Sequence, residues 1–318
     1  MVGWRRRSRS PHSHYESAAP WASAHTKAIP DPDHRLNSEL MDLCAYLRPK
    51  PADISSQQAV IARITAVVKD LWPVAEVRLF GSLETGLWVP GSDIDLTILM
   101  KTDTGVARYL HQLADALQRT RIAGHLQRIA HARVPIIKLT DRATRIQVDI
   151  SFNQDNALRG VQMTRQYLAR YPELRYLVPV LKYYLKQRRL NDTHSGGIGS
   201  FLLLCMAVAV VQQYASPDLV AGHYLVKFFK LFSEELDYER EGVSITGQGT
   251  VFSKRARGWT YPRDRELLAL ESPLDPEHDL GKNSYQIRQV RYAFAEAYRS
   301  LRSLRTATPL SGLFLGVS

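Results

Sequence analysis

Phe80-Gly81-Ser82-Leu83-Glu84-Thr85-Gly86-Leu87-Trp88-Val89-Pro90-Gly91-Ser92-Asp93-Ile94-Asp95-Leu96 is the stretch on which the fold turns. An apolar strand, residues 76–80, runs into a Gly-Ser turn, and two carboxylates follow at i and i+2. Side chains alternate faces along a strand, so Asp93 and Asp95 point the same way and Ile94 points to the core. Two such charges repel by roughly 4 kcal/mol at about 4 Å in an effective dielectric near ~20. Asp-x-Asp recurs by chance. Here the Gly-Ser turn before it and a third strand carboxylate after it point to a divalent cation. Oxygen-only ligands suit Mg²⁺, which takes one or two carboxylates together with substrate phosphates.

The third carboxylate is Asp149, in Ile146-Gln147-Val148-Asp149-Ile150-Ser151-Phe152. Its strand is otherwise suited to burial, so the charge needs a cationic partner or a metal. Three carboxylates from two neighbouring strands can hold two ions. One activates a hydroxyl nucleophile; the other holds a triphosphate and neutralises the leaving pyrophosphate. Gly81 lets the chain approach closely, and the Gly81-Ser82 turn offers backbone N–H groups and a hydroxyl to phosphate oxygens. The sequence has no G-x-x-x-x-G-K-[ST] loop for that purpose.

The chain has 318 residues and a net charge of +11, which suits a polyanionic partner. Cys44 and Cys205 form no Cys-x-x-Cys pair, which argues against zinc and against a disulfide framework. The longest apolar run, residues 201–211, is shorter than the ~20 residues a bilayer span needs, so no membrane partner is expected. Residues 1–30 carry Arg5, Arg6, Arg7 and Arg9 among Ser, Pro and His and read as a disordered basic tail that can touch RNA.

Periodicity orders the rest. Helical spacing covers residues 35–47 and then Val60 to Leu71, the second helix capped by Ser55-Ser56. Strands are expected at 76–80, 94–100, 126–130, 135–139 and 146–152, with a helix at 105–119. After Asn156 helical patterns dominate: 158–170, 174–187, 197–214, 219–236 and 285–304. Residues 242–252 read as irregular or β, and the Pro- and acid-punctuated 261–279 as a functional loop or lid. Residues 306–318 form an apolar tail whose abrupt end reads as that of a trimmed chain.

Phe-Gly-Ser (80–82), Ser-Asp-Ile-Asp-Leu (92–96) and Val-Asp-Ile-Ser-Phe-Asn (148–153) together resemble the nucleotidyltransferases of the DNA polymerase β superfamily. Leu71-Trp72-Pro73, Val134-Pro135-Ile136-Ile137-Lys138-Leu139, Gly196-Gly197-Ile198-Gly199-Ser200-Phe201, Ser272-Pro273-Leu274-Asp275-Pro276 and Gly281-Lys282-Asn283-Ser284-Tyr285 narrow the resemblance to the Trf/Cid terminal nucleotidyltransferases, in particular the nuclear TRAMP-type poly(A) RNA polymerases. The resemblance runs from about Pro20 to Leu304.

It implies an α/β (α+β) nucleotidyltransferase palm with a mixed β-sheet, a mainly helical central domain, and an active-site cleft between them. The implied division is tail 1–30, an N-terminal helix at 31–56 packing on the central domain, palm 57–157, central domain 158–305 and tail 306–318. The implied chemistry is template-independent addition of AMP from ATP to RNA 3′ ends, a polynucleotide adenylyltransferase using two Mg²⁺ ions, with Mn²⁺ as a substitute. Asp93, Asp95 and Asp149 are the implied catalytic and metal-binding residues. Gly81, Ser82, Ser92, Lys182, Lys186, Ser200, Phe201, Asp275 and His278 are the implied nucleotide contacts. Lys182 and Lys186 share a helix face at i and i+4 and would grip the triphosphate. Phe201 stands where relatives usually have Tyr as a platform for the base.

The choice of base rests on residues 272–278. TRAMP-type relatives usually carry Asn where His278 stands, and some uridylyltransferases carry His, so UTP is the alternative substrate. Gly160 stands where many uridylyltransferases have a ribose-contacting Asn, which favours ATP. The other alternative is an RNA-binding scaffold without activity. Expected partners are RNA 3′ ends, a zinc-knuckle RNA-binding protein and an RNA helicase. The expected compartment is the nucleus, with mitochondrion or cytoplasm as alternatives.

Overall fold

In a computed structural model, residues 19–101, 105–132, 134–303 and 308–314 are described, and Arg5, Arg6, Arg7 and Arg9 of the expected tail lie outside them. Two hydrophobic cores organise the chain. One is built from residues between Val60 and Phe152; the other joins Leu36–Leu47 and Leu87 to residues from Leu168 onwards.

The first core lies under a five-stranded mixed sheet. Its strands are β1 (Glu76–Phe80), β2 (Ile94–Leu99), β3 (Ala123–Ile129), β4 (Ile136–Asp141) and β5 (Gln147–Phe152), in the order β1-β2-β5-β4-β3. Only β2 and β5 run parallel. Ile94, Leu96, Ile98, Val148 and Ile150 are fully buried, as strand alternation requires. They share that core with Val60, Ile64 and Val68 of a long helix at Pro51–Leu71 and with Leu110, Leu113 and Leu117 of Val106–Arg119. Pro135 immediately precedes β4, a strand-start position where its missing N–H costs no ladder bond.

In chain order the helices are α1 (Ala24–Ala28), α2 (Pro32–Leu47), α3 (Pro51–Leu71), α4 (Gly81–Thr85), α5 (Val106–Arg119), α6 (Asp155–Arg170), α7 (Leu174–Gln187), α8 (Ser200–Gln213), α9 (Ala221–Lys230), α10 (Ile287–Arg302) and α11 (Ser311–Phe314). The second core is helical. Every residue of α8 from Leu202 to Gln212 is buried, with α7 and α9 packed against it. Two hairpins complete this half: β6 (Glu241–Ser244) with β7 (Thr250–Ser253), and β8 (Glu271–Ser272) with β9 (Asp275–Asp279).

Four expectations are corrected. The second helix starts at Pro51, not at Ser55-Ser56, because the Asp53 carboxylate accepts the Lys50 N–H (2.8 Å) and Pro51 suits the first helical position. Residues 51–56 therefore belong to a palm helix, and the division between the cores falls at 48–50. The segment from Ala19 is packed: Trp21 Nε1 donates to the buried Glu39 (3.0 Å), and its ring meets Phe314 edge-on. At the other end Leu310, Leu313 and Phe314 are buried in the helical core, so 308–314 is a clasp rather than a loose tail. Residues 261–279 are anchored as well. The buried Asp279 carboxylate accepts the N–H groups of Leu270 (3.0 Å) and Gly281 (2.7 Å) and the Tyr261 hydroxyl (2.9 Å), while Leu268, Ala269 and Leu270 are fully buried.

Candidate active site

Parallel pairing of β2 with β5 makes Asp95 the direct partner of Asp149. Antiparallel pairing then brings Lys138 of β4 opposite Asp149, and Gln127 of β3 opposite Lys138. One transverse row on the sheet therefore reads Asp95, Asp149, Lys138, Gln127. Asp93, one residue ahead of β2, lines the same cavity as Asp95. Lys138 Nζ lies 2.8 Å from Asp149 Oδ2.

These acids are held against their charge. Burial, with the Asp149 and Asp93 charges added, pushes Asp95 up to about 7. Burial and Asp149 also raise Asp93. Burial lowers Lys138, but the ion pair with Asp149 outweighs it and the net shift is upward. Among the described residues no three Asp, Glu, His or Cys side chains already converge as a ready-made metal cage. The donor chemistry nevertheless fits a hard divalent cation. Three carboxylates on neighbouring strand positions present only oxygen, and burial and then the neighbouring carboxylate charge push two of them towards the neutral form, a strain a cation would relieve.

The Gly-Ser turn is a single helical turn, α4, entered from the extended Phe80. Gly81 has φ +68°, and a Cβ there would overlap the Asp95 carboxylate. Glycine is thus required twice, by conformation and by space. Ser92 lines the cavity that holds Asp93 and Asp95, and its Oγ accepts the Val89 N–H (3.2 Å) to close the loop before Asp93.

Lys182 and Lys186 lie one turn apart on α7, as their spacing predicts, and reach into this loop. Lys182 Nζ donates to the Leu87 carbonyl (3.1 Å), and Lys186 Nζ donates to the Gly91 carbonyl. Leu87 itself is buried in the helical core, so these contacts tie palm and helices together. Lys182 is only 8% exposed, and burial lowers its ammonium to about 8. Burial also lowers Lys186. Among the described residues neither lysine forms an ion pair, although both feel the charge of Asp93, and this pair of cations favours an anionic guest.

Two cavities meet at Ser82, Lys182 and Ser200. The larger, about 760 Å³, holds Asp93, Asp95, Lys138 and Lys186 together with Asp192 and His194 of the loop before α8. The smaller, about 280 Å³, is mostly apolar and lies between α4, α6 and α8. Phe201 lines it, and Gly160 leaves it open: a Cβ there would stand 3.8 Å from the Phe201 ring and 3.9 Å from Leu274. A flat ring fits such a slot, and a polyphosphate fits the polar cavity beyond it.

Asp275 and His278 are not among the residues lining either cavity. Asp275 is exposed on β9, where its carboxylate accepts the Glu277 N–H (3.2 Å). From that stretch it is Leu274 that reaches the apolar cavity. Sequence reasoning did not assign roles to Leu274, Thr164 or Lys138. Thr164 lies four residues beyond Gly160 on α6, a helical spacing that could have found it; Lys138 alternates with the buried Ile137 on β4.

Comparison with known proteins bears on the fold and the family. The profile of the family described as poly(A) RNA polymerase, mitochondrial-like, central palm domain matches residues 36–169. That of the Cid1 family poly A polymerase domain matches residues 222–278. The chain is 35% identical over 308 residues to poly(A) RNA polymerase CID14 of Cryptococcus neoformans, a match spanning 93% of this chain and 40% of that protein. It is 31% identical over 281 residues to Trf4-2 of Drosophila melanogaster, described as an inactive poly(A) RNA polymerase, covering 85% of this chain and 69% of that one. Among solved structures, the polymerase core of TRAMP, a RNA surveillance complex, superposes with a TM-score of 0.81 at 28% identity, over 92% of this chain and 96% of that chain.

Proposed function

The chain belongs to the Trf/Cid-type poly(A) RNA polymerase family, and from that membership we propose that it is a template-independent RNA 3′-terminal nucleotidyltransferase that adds AMP from ATP. The observation that carries the proposal is the register pairing of Asp95 with Asp149, with Asp93 and Asp95 lining a polar cavity that joins an apolar slot at Ser82, Lys182 and Ser200.

The residues divide the work by position. The adenine would enter the apolar cavity and stack on Phe201, with Gly160 leaving room for the ring. Ser82 and Ser200, shared by the two cavities, would donate hydroxyl hydrogen bonds to the phosphates. The Lys182 and Lys186 ammonium groups would balance the triphosphate charge, and burial of Lys182 strengthens that attraction. Gly81 would let backbone approach the phosphates beside Asp95. Asp93, Asp95 and Asp149 would hold two Mg²⁺ ions, with Mn²⁺ as a substitute, which when bound supply activation of the RNA 3′-hydroxyl and neutralisation of the leaving pyrophosphate. Lys138 and Gln127 continue the row towards the sheet edge and would meet the acceptor nucleotide.

The named relatives support AMP over UMP, as does Gly160, while His278 is the sequence feature that favours UTP. Trf4-2 is described as inactive, but all three carboxylates are present here, which supports activity over a scaffold role. The likeness to the TRAMP polymerase core supports a role in RNA surveillance; the nucleus as compartment, and a zinc-knuckle RNA-binding protein and a helicase as partners, follow from the sequence resemblance. Among the described residues no helix is long and apolar enough to cross a membrane.

Extension of a labelled RNA with each nucleotide separately tests the proposal. AMP ladders are expected. UMP ladders without AMP would replace the substrate, and no extension of any RNA in Mg²⁺ or Mn²⁺ would remove the activity.

A further inference from the structure

We infer that a second, basic groove leading away from the catalytic carboxylates binds the single-stranded RNA upstream of its 3′ end; this rests on the RNA-tailing function proposed above. The groove, about 680 Å³, shares Gly91, Ser92, Asp93, Gln147 and Lys186 with the catalytic cavity, so the two spaces are continuous. Its other walls come from separate parts of the chain: Arg48 and Lys50 in the linker between α2 and α3, Trp88 in the loop before β2, and Thr144 and Arg145 in the β4–β5 turn.

The charge of this groove is positive and available. Arg48, Lys50 and Arg145 are all exposed, and among the described residues none of them forms a salt bridge. Of the two acids on the walls, Asp53 is engaged by the Lys50 backbone N–H and Asp93 belongs to the carboxylate site. Arg145 also has φ +63°, a left-handed conformation that costs a non-glycine residue about 1 kcal/mol or more. A cation stands at a turn position where Gly or Asn would be easier.

Aromatic surface accompanies the charge. Tyr46 is 51% exposed on the rim, and Trp88 lines the wall with a buried Nε1 that has no hydrogen-bond partner. Interleaved cations and exposed rings are the means by which proteins track single-stranded nucleic acid, phosphates on the cations and bases on the ring faces. A departing pyrophosphate needs only the cations and leaves the rings without a role, so RNA is the occupant the observations favour. Placement directly beyond Asp93 suits the nucleotides behind the one that carries the attacking hydroxyl.

The test combines Arg48→Glu, Lys50→Glu and Tyr46→Ala in the full chain, with Arg48→Lys, Lys50→Arg as a charge-conserving control. Affinity for a 3′-deoxy RNA, which cannot be extended, is read by fluorescence anisotropy over acceptor lengths from a trinucleotide to about 12 nucleotides and over a salt series. The expected result is roughly tenfold weaker binding of the long RNA, a shallower salt dependence by about one to two counterions, and no change for the trinucleotide or in KM for ATP. The control should bind as the parent does, and both proteins should melt at the parental temperature. Unchanged affinity at every length would overturn the inference. So would a rise in the inhibition constant for pyrophosphate with RNA binding intact, since the groove would then serve the leaving group. Absence of RNA extension by the parent would strike the proposed function instead, while the binding series would still decide the groove.

Discussion

Lys138 and Asp149 face each other across the antiparallel β4–β5 register, with the ammonium nitrogen 2.8 Å from a carboxylate oxygen. Asp149 is in turn the register partner of Asp95. Lys138 is therefore the resident counter-charge of a carboxylate row that otherwise repels itself. Its side chain is 45% exposed, so the pair contributes modestly to stability. Lys138→Met should lower stability in EDTA by about 1 kcal/mol at most. It should also enlarge the rise in melting temperature on adding Mn²⁺, because the ion then meets uncompensated acids. Thermal denaturation with and without Mn²⁺ reads both, and an equal rise in parent and variant would contradict this role.

Gly81→Ala should abolish tailing while sparing most of the fold. The new methyl group must displace the Asp95 carboxylate, and φ +68° adds strain of about 1 kcal/mol. Activity is expected to fall by at least about 100-fold, since displacements near 1 Å have that effect. Tailing rate and circular dichroism measured on one preparation check it; a variant within about threefold of the parent would count against the close approach.

Glu39 links the two ends of the chain. Its carboxylate accepts Trp21 Nε1 (3.0 Å) and the Leu310 N–H (2.8 Å), yet burial pushes it up to about 7 from an ordinary 4.5. The folded state then binds a proton that the unfolded state releases between those values. Its contribution to stability is fully present below about pH 4.5, declines as pH rises, and is lost above about 7. The change amounts to about 3 kcal/mol at most. Urea melts of the parent against Glu39→Gln across that window should show a steeper decline in the parent, the variant keeping only the slope due to other raised acids such as Asp95.

Lys254 is fully buried, and its ammonium donates to three carbonyls, of Tyr238 (2.8 Å), Arg265 (3.0 Å) and Leu267 (2.9 Å). Lys254→Met would leave those acceptors unsatisfied and cost about 3 kcal/mol or more. Hydrogen exchange should speed first in residues 265–279, the segment it pins. Exchange unchanged there, with the loss spread evenly over the helical core, would contradict this role.

What the sequence made legible was local. Asp93 and Asp95 share a face because strands alternate, and Lys182 and Lys186 share one because helices repeat. The break near Asn156 matches the start of α6 at Asp155. Pairings set by sheet order were not legible: nothing near Lys138 announces that β4 lies beside β5 and so opposite Asp149. The ends misled for a related reason. Basic and apolar composition suggested tails, whereas Trp21 and Phe314 find each other across almost the whole chain. Residues 261–279 look like a lid by their prolines and acids, but Asp279 is a buried acceptor for three donors. Base choice was read at Asp275 and His278, whereas Leu274 is the residue of that stretch that lines the apolar cavity.

Asp93, Asp95 and Asp149 are proposed to act together on an RNA 3′ end with ATP. Single-turnover extension of a labelled RNA by the parent, Asp95→Asn and Asp149→Asn, with folding checked by melting temperature, tests this most directly. Addition of AMP by the parent is expected, with a fall of at least about 1,000-fold in each variant and no loss of fold. Undiminished addition by either variant, or extension by none of the three proteins, would contradict it.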